Sequence, residues 1–61
     1  MKYRQLARLL REAGFTPTPG KGDHEKWIAQ SGRHVTIRRG KDASPGVVRQ
    51  ATKAIEQEEQ R

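Results

Sequence analysis

Between Lys26 and Arg39 the chain reads KWIAQSGRHVTIRR, two strand-like runs that meet at Ser31-Gly32. Such a pattern specifies a β-hairpin. Its loop length decides which side chains share a face, because side chains alternate along a strand. A three-residue loop of Gln30, Ser31 and Gly32, with Gly32 in the left-handed region, is a common geometry. It sets Trp27 opposite Val35 and Glu25 opposite Ile37, and on the other face Lys26 opposite Thr36 and His24 opposite Arg38. A two-residue loop would pair Ile28 with Val35 and split that second group. The first register buries Trp27, the largest apolar side chain, and leaves Ile28 outside. We therefore expect strands over 24–30 and 33–39, with His24, Lys26, Thr36 and Arg38 together on an open face.

The flanking segments supply the cover for the other face. Over 2–13, Tyr3, Leu6, Leu9, Leu10 and Ala13 recur at three- and four-residue steps, which is the apolar stripe of a helix. Gly14 stands where a left-handed C-cap ends it, and Phe15 can fold back on its last turn. Pro17 and Pro19 restrict 15–21 to a short edge strand at best, since proline cannot donate to a ladder. Gly20 and Gly22 free the backbone ahead of His24. Ser44-Pro45 starts a second helix, with Ser44 as N-cap and proline at the first helical position. Val47, Val48, Ala51, Ala54 and Ile55 form its buried stripe. The order predicts an α+β, two-layer α-β-β-β-α domain: a three-stranded antiparallel sheet with both helices on one face. Double-stranded-RNA-binding domains share that order.

The 61 residues make a single domain over 1–61, near the lower size for one core, with 57–61 expected to be a frayed acidic tail. Only 31% of residues are hydrophobic, so the core contributes few net kcal/mol and a stabilising partner is plausible. There is no cysteine, which excludes disulfides and thiolate metal sites. No apolar run approaches a membrane span or a signal-peptide core, so the chain reads as cytoplasmic and membrane-free. The net charge is +6 and unevenly spread. Residues 1–55 carry twelve Lys/Arg against four Asp/Glu, whereas EQEEQR at the end carries three Glu and one Arg. A basic body of this kind attracts a polyanion, because neutralised phosphates release counterions.

Most chemistries lack the parts. His24, His34 and two Asp show no repeated ligand spacing for zinc. Gly20-Lys21-Gly22 is too short for a phosphate-cradling loop and lacks its following hydroxyl. Ser31 and Ser44 are accounted for by turn and cap. RNA cleavage remains, since RNA brings its own nucleophile in the 2′-hydroxyl. That reaction needs a group titrating near neutrality and cations around the phosphorane, and no cofactor. His24 suits the first role; Lys21, Lys26, Arg38 and Arg39 suit the second.

Four pieces then fall in order: Gly14-Phe15 after the first helix, Gly22-Asp23-His24 followed by Lys26-Trp27, the strand Val35-Thr36-Ile37, and Gly46-Val47-Val48-Arg49 on the last helix. In these the chain resembles the HicA (YcfA-like) toxins, small mRNA-cleaving ribonucleases of bacterial toxin–antitoxin pairs, over essentially residues 2–56. The resemblance implies a double-stranded-RNA-binding-domain-like fold and a metal-independent endoribonuclease with His24 as its catalytic residue. It also implies a HicB-type antitoxin that blocks the site. From the residues themselves we expect Lys21, Gly22, Lys26, Arg38 and Arg39 to hold RNA, and the antitoxin to cover His24. The toxin alone is expected to be a monomer. The chain departs from the family pattern at three points. Asp23 replaces a serine, Arg38 replaces a proline, and a histidine often found beyond that strand is absent. Asp23 would either raise the pKa of His24 or repel phosphate. His34 matches no family catalytic position and reads as a surface residue of the hairpin. The alternatives are an RNA-binding module of the same fold without chemistry, and a protein-binding role for the same cationic face.

Overall fold

The computed structural model describes residues 1–60. Its elements are α1 (Tyr3–Glu12), β1 (Thr16–Pro19), β2 (His24–Ile28), β3 (His34–Arg38) and α2 (Pro45–Glu59). The strands form one antiparallel sheet in the order β1-β2-β3. This is the expected α+β arrangement.

The β2–β3 register is the one set by the three-residue loop. Trp27 faces Val35, Glu25 faces Ile37, Lys26 faces Thr36 and His24 faces Arg38. Gly32 has φ +95°, and its N–H donates to the Ala29 carbonyl at 2.9 Å, closing the turn. Alternation then sends Trp27, Ala29, Val35 and Ile37 into the core with Leu6, Ala7 and Leu10 of α1, Phe15, and Ala51 and Ala54 of α2. Both helices therefore lie on one face of the sheet. The even-numbered strand residues point the other way; of these His24, Lys26, His34, Thr36 and Arg38 are exposed and Ile28 is half-buried.

Helix α1 ends in a Schellman motif. The Phe15 N–H reaches the Leu10 carbonyl (2.9 Å), and the Gly14 N–H reaches that of Arg11 (3.0 Å). Gly14 takes φ +94°, a left-handed conformation costly for residues with a Cβ. Phe15 is thereby folded into the core. Ser44 caps α2 as expected, its Oγ accepting from the Val47 N–H at 3.3 Å.

Two expectations are corrected. Leu9 is 42% exposed, and Ala7 takes its place in the core. At about 100° per residue, Leu9 lies roughly 105° from the mean direction of Leu6, Ala7 and Leu10. The acidic end of α2 is helical through Glu59 rather than frayed from residue 57. The Gln57 carboxamide accepts from Arg33 Nη1 (2.5 Å) and the Glu58 carboxylate from Ser31 Oγ (2.5 Å), which ties the helix to the hairpin loop. Arg61, the last residue of the expected tail, lies outside the described residues.

Candidate functional site

The site is built on the hairpin from β1 to β2. Gly20 and His24 close it, with the Gly20 N–H donating to the His24 carbonyl at 3.0 Å. A Cβ on Gly20 would sit 2.6 Å from that carbonyl oxygen, so only glycine lets β1 approach His24 this closely. The turn follows through Lys21, whose carbonyl accepts from the His24 N–H at 3.1 Å, with Gly22 at φ +65°. On the other side, the Arg39 N–H donates to the Asp23 carbonyl at 2.8 Å. The His24 backbone is thus held by Gly20 and Lys21 and the preceding Asp23 by Arg39, while His24 itself is exposed.

Three rows of residues cross the open face: Thr16, Ile28 and His34; Thr18, Lys26 and Thr36; and His24 and Arg38 beside the bare Gly20. His24 and Arg38 form a non-hydrogen-bonded pair, whose Cα atoms stand about 4.5 Å apart, while Lys26 lies about 7 Å along the same strand. A shallow depression of about 580 Å³ opens over Thr18, Gly20, Lys21, His24, Lys26 and Thr36. Lys21 and Lys26 therefore border the same hollow as His24.

The expected site residues do not all meet there. Lys21, His24 and Lys26 do, and Arg38 adjoins them from the next strand. Gly22 does not line the hollow and takes φ +65° in the turn before His24. Arg39 is separated: the ladder continues to it, so it belongs to the helix-facing side of the sheet. There its charge acts on the Tyr3 phenol, opposing the rise that burial and Glu25 give that group's pKa. Asp23 does not bond the His24 imidazole. Its Oδ2 lies 3.2 Å from Arg38 Nη2, in an ion pair open to solvent on both sides. His34 shares the open face with His24 but stands four residues away along the ladder, about 13 Å. The two imidazoles cannot act on one phosphate.

Glu25 was not singled out from the sequence and matters to the site's support. It is half-buried under the sheet, accepting from the Tyr3 hydroxyl (2.6 Å) and from Trp27 Nε1 (2.8 Å) through one oxygen. Above the fully buried Trp27, the Arg11 guanidinium lies 5.4 Å from the indole centroid, a cation–π contact. This network locks the middle of β2 against α1 directly beneath Lys26. Its one legible sign was a carboxylate on the core face, opposite Ile37.

A small basic α+β module with an exposed histidine among cations on its open sheet face is the class that fold and site define. The family described as the HicA toxin of bacterial toxin-antitoxin matches residues 3–57, and the chain belongs to that family. No curated protein and no solved structure matches it. Among the described residues no helix is long and apolar enough to cross a membrane.

Proposed function

We propose that this toxin-family chain is a metal-independent endoribonuclease that cuts mRNA through the RNA's own 2′-hydroxyl and so arrests translation and growth. The observation that carries the reading is the exposed His24, its backbone bonded to Gly20 and Lys21, in one hollow with Lys21 and Lys26. His24 moves the proton of the 2′-hydroxyl or of the leaving 5′-oxygen. Lys21 and Lys26 bind the phosphates flanking the scissile bond and stabilise the charge that builds on the phosphorane. Arg38 joins them once Asp23 yields it. The 2′-oxygen bonds to phosphorus as the 5′-oxygen leaves, giving a 2′,3′-cyclic phosphate and a 5′-hydroxyl end. The chemistry uses no cofactor. The antitoxin, a HicB-type protein in this reading, shields His24 with acidic residues facing Lys26 and Arg38, and the pair acts in the cytoplasm.

The second reading, an RNA-binding module without chemistry, is favoured by one observation: no second titratable imidazole lies within reach of His24. Incubation with generic single-stranded RNA in excess EDTA separates the two. Products ending in 2′,3′-cyclic phosphate support the ribonuclease; salt-sensitive binding with intact RNA supports the module.

A further inference from the structure

The two edges of the sheet are not alike. Hydrogen bonds from the Ala29 N–H to the Arg33 carbonyl and from the Arg39 N–H to the Asp23 carbonyl fix which residues of β3 turn their backbone toward β2. These are the odd-numbered ones. His34, Thr36 and Arg38 therefore direct their N–H groups away from the sheet. Among the described residues no strand lies beyond β3, and no backbone acceptor takes up those three N–H groups. The Arg38 carbonyl is already taken by the Lys41 N–H at 3.2 Å, which ends the strip. The opposite edge is closed by the same logic. The Gly20-to-His24 bond makes Thr16 and Thr18 the inward residues of β1, so its outward positions are Pro17 and Pro19. Neither has an N–H to offer an added strand.

We propose that the outer edge of β3 is where the chain's antitoxin docks, adding an acidic, extended segment to the sheet as a fourth strand. A free edge of alternating donors and acceptors is complementary to another strand. Beside this edge runs a groove of about 360 Å³ between β3 and α2, over Val35, Gln50 and Ala54. An added strand would place alternate side chains into that groove and against the open-face residues His34, Thr36 and Arg38. The segment that fits has small or apolar residues alternating with Asp or Glu. Its acidity follows from Arg33, Arg38 and Lys41 along this edge, where residues 33–41 hold no carboxylate and, among the described residues, only Arg38 forms an ion pair, with Asp23. The same charge opposes a second copy of this chain, since antiparallel pairing of two β3 edges would bring those cations together. A partner strand here borders Arg38, one pair away from His24, so it reaches the candidate site from the side. The proposal takes the existence of an antitoxin from the family and does not depend on the chain being a ribonuclease.

Amide hydrogen exchange of the full chain, free and bound to its antitoxin, tests it. The amides of His34, Thr36 and Arg38 should exchange rapidly in the free chain and at least tenfold more slowly in the complex. Equal rates in the two states would overturn the proposal, as would equal slowing by single-stranded RNA alone. His34→Pro provides the second arm, because it removes an outward donor and breaks no bond of the ladder. It should weaken antitoxin binding at least tenfold with circular dichroism, melting and RNA cleavage kept; undiminished binding counts against the edge. Should the variant misfold, exchange in the unaltered chain decides alone. Protected edge amides in a chain that never cuts RNA would sink the ribonuclease reading and keep this one. Cleavage with unprotected edge amides would do the reverse.

Discussion

Arg38 stands beside His24 with its charge half spent on Asp23, and this pair sets how the open face meets a phosphate. Both side chains are open to solvent, so the ion pair contributes about 0–1 kcal/mol to the fold. Its weight falls on binding, because any phosphate that engages Arg38 must displace a carboxylate. Asp23→Asn should tighten RNA binding about two- to fivefold, with little change in melting, in a titration at low salt. Unchanged affinity would mean that Arg38 does not touch RNA. Beneath the sheet, the groups around Glu25 are less forgiving. Glu25→Ala leaves the Tyr3 hydroxyl and the Trp27 indole N–H without their acceptor, at about 1–3 kcal/mol for each orphaned group in urea melts. Burial, then the Glu25 carboxylate, raise the Tyr3 pKa above its ordinary 10.0. The folded state therefore holds the phenol proton more tightly than the unfolded one. This stabilisation is full below the unfolded value and is lost as pH climbs through the folded one. Tyr3→Phe should shrink the fall in unfolding free energy as pH rises beyond 10.0; an unaltered fall would remove Tyr3 as its source.

At the scale of elements, the hairpin was the most legible part, and the reason is local. Three residues, one of them a glycine able to take positive φ, leave one register that buries Trp27, and side-chain alternation does the rest. The C-cap of α1 was legible for the same kind of reason. Gly14→Ala should cost about 1–2 kcal/mol, read as a lower urea midpoint with the m-value kept. What the sequence hid depends on where elements point after packing. Leu9 fits a three- and four-residue count, yet α1 is rotated so that the small Ala7 fits into the core. Arg39 looked like one more cation beside Arg38. One additional ladder bond beyond β3 turns it toward the helices instead. The end of α2 read as a loose acidic run because its order comes from Ser31 and Arg33, in a loop more than twenty residues away in sequence. The Tyr3–Glu25 contact was hidden by the same kind of distance.

The whole molecule has little stability to spare. At about 0.05–0.15 kcal/mol per residue, a chain this short is held by roughly 3–9 kcal/mol. Trp27 is fully buried at the junction of sheet and α1. Trp27→Ala, at about 3–5 kcal/mol, should leave much of the population unfolded, seen as lost far-ultraviolet dichroism at room temperature. A helix-covered face thus does the structural work, and the face left bare concentrates the cations and His24. Proton transfer on RNA is the role proposed for His24 on this bare face. The most direct test compares RNA cleavage in excess EDTA by the intact chain and by His24→Ala, after matching their circular dichroism and melting. Cleavage by the intact chain and a loss of about a hundredfold or more in the variant are expected, the usual scale of acid–base catalysis. Cleavage kept by a folded His24→Ala chain would contradict that role.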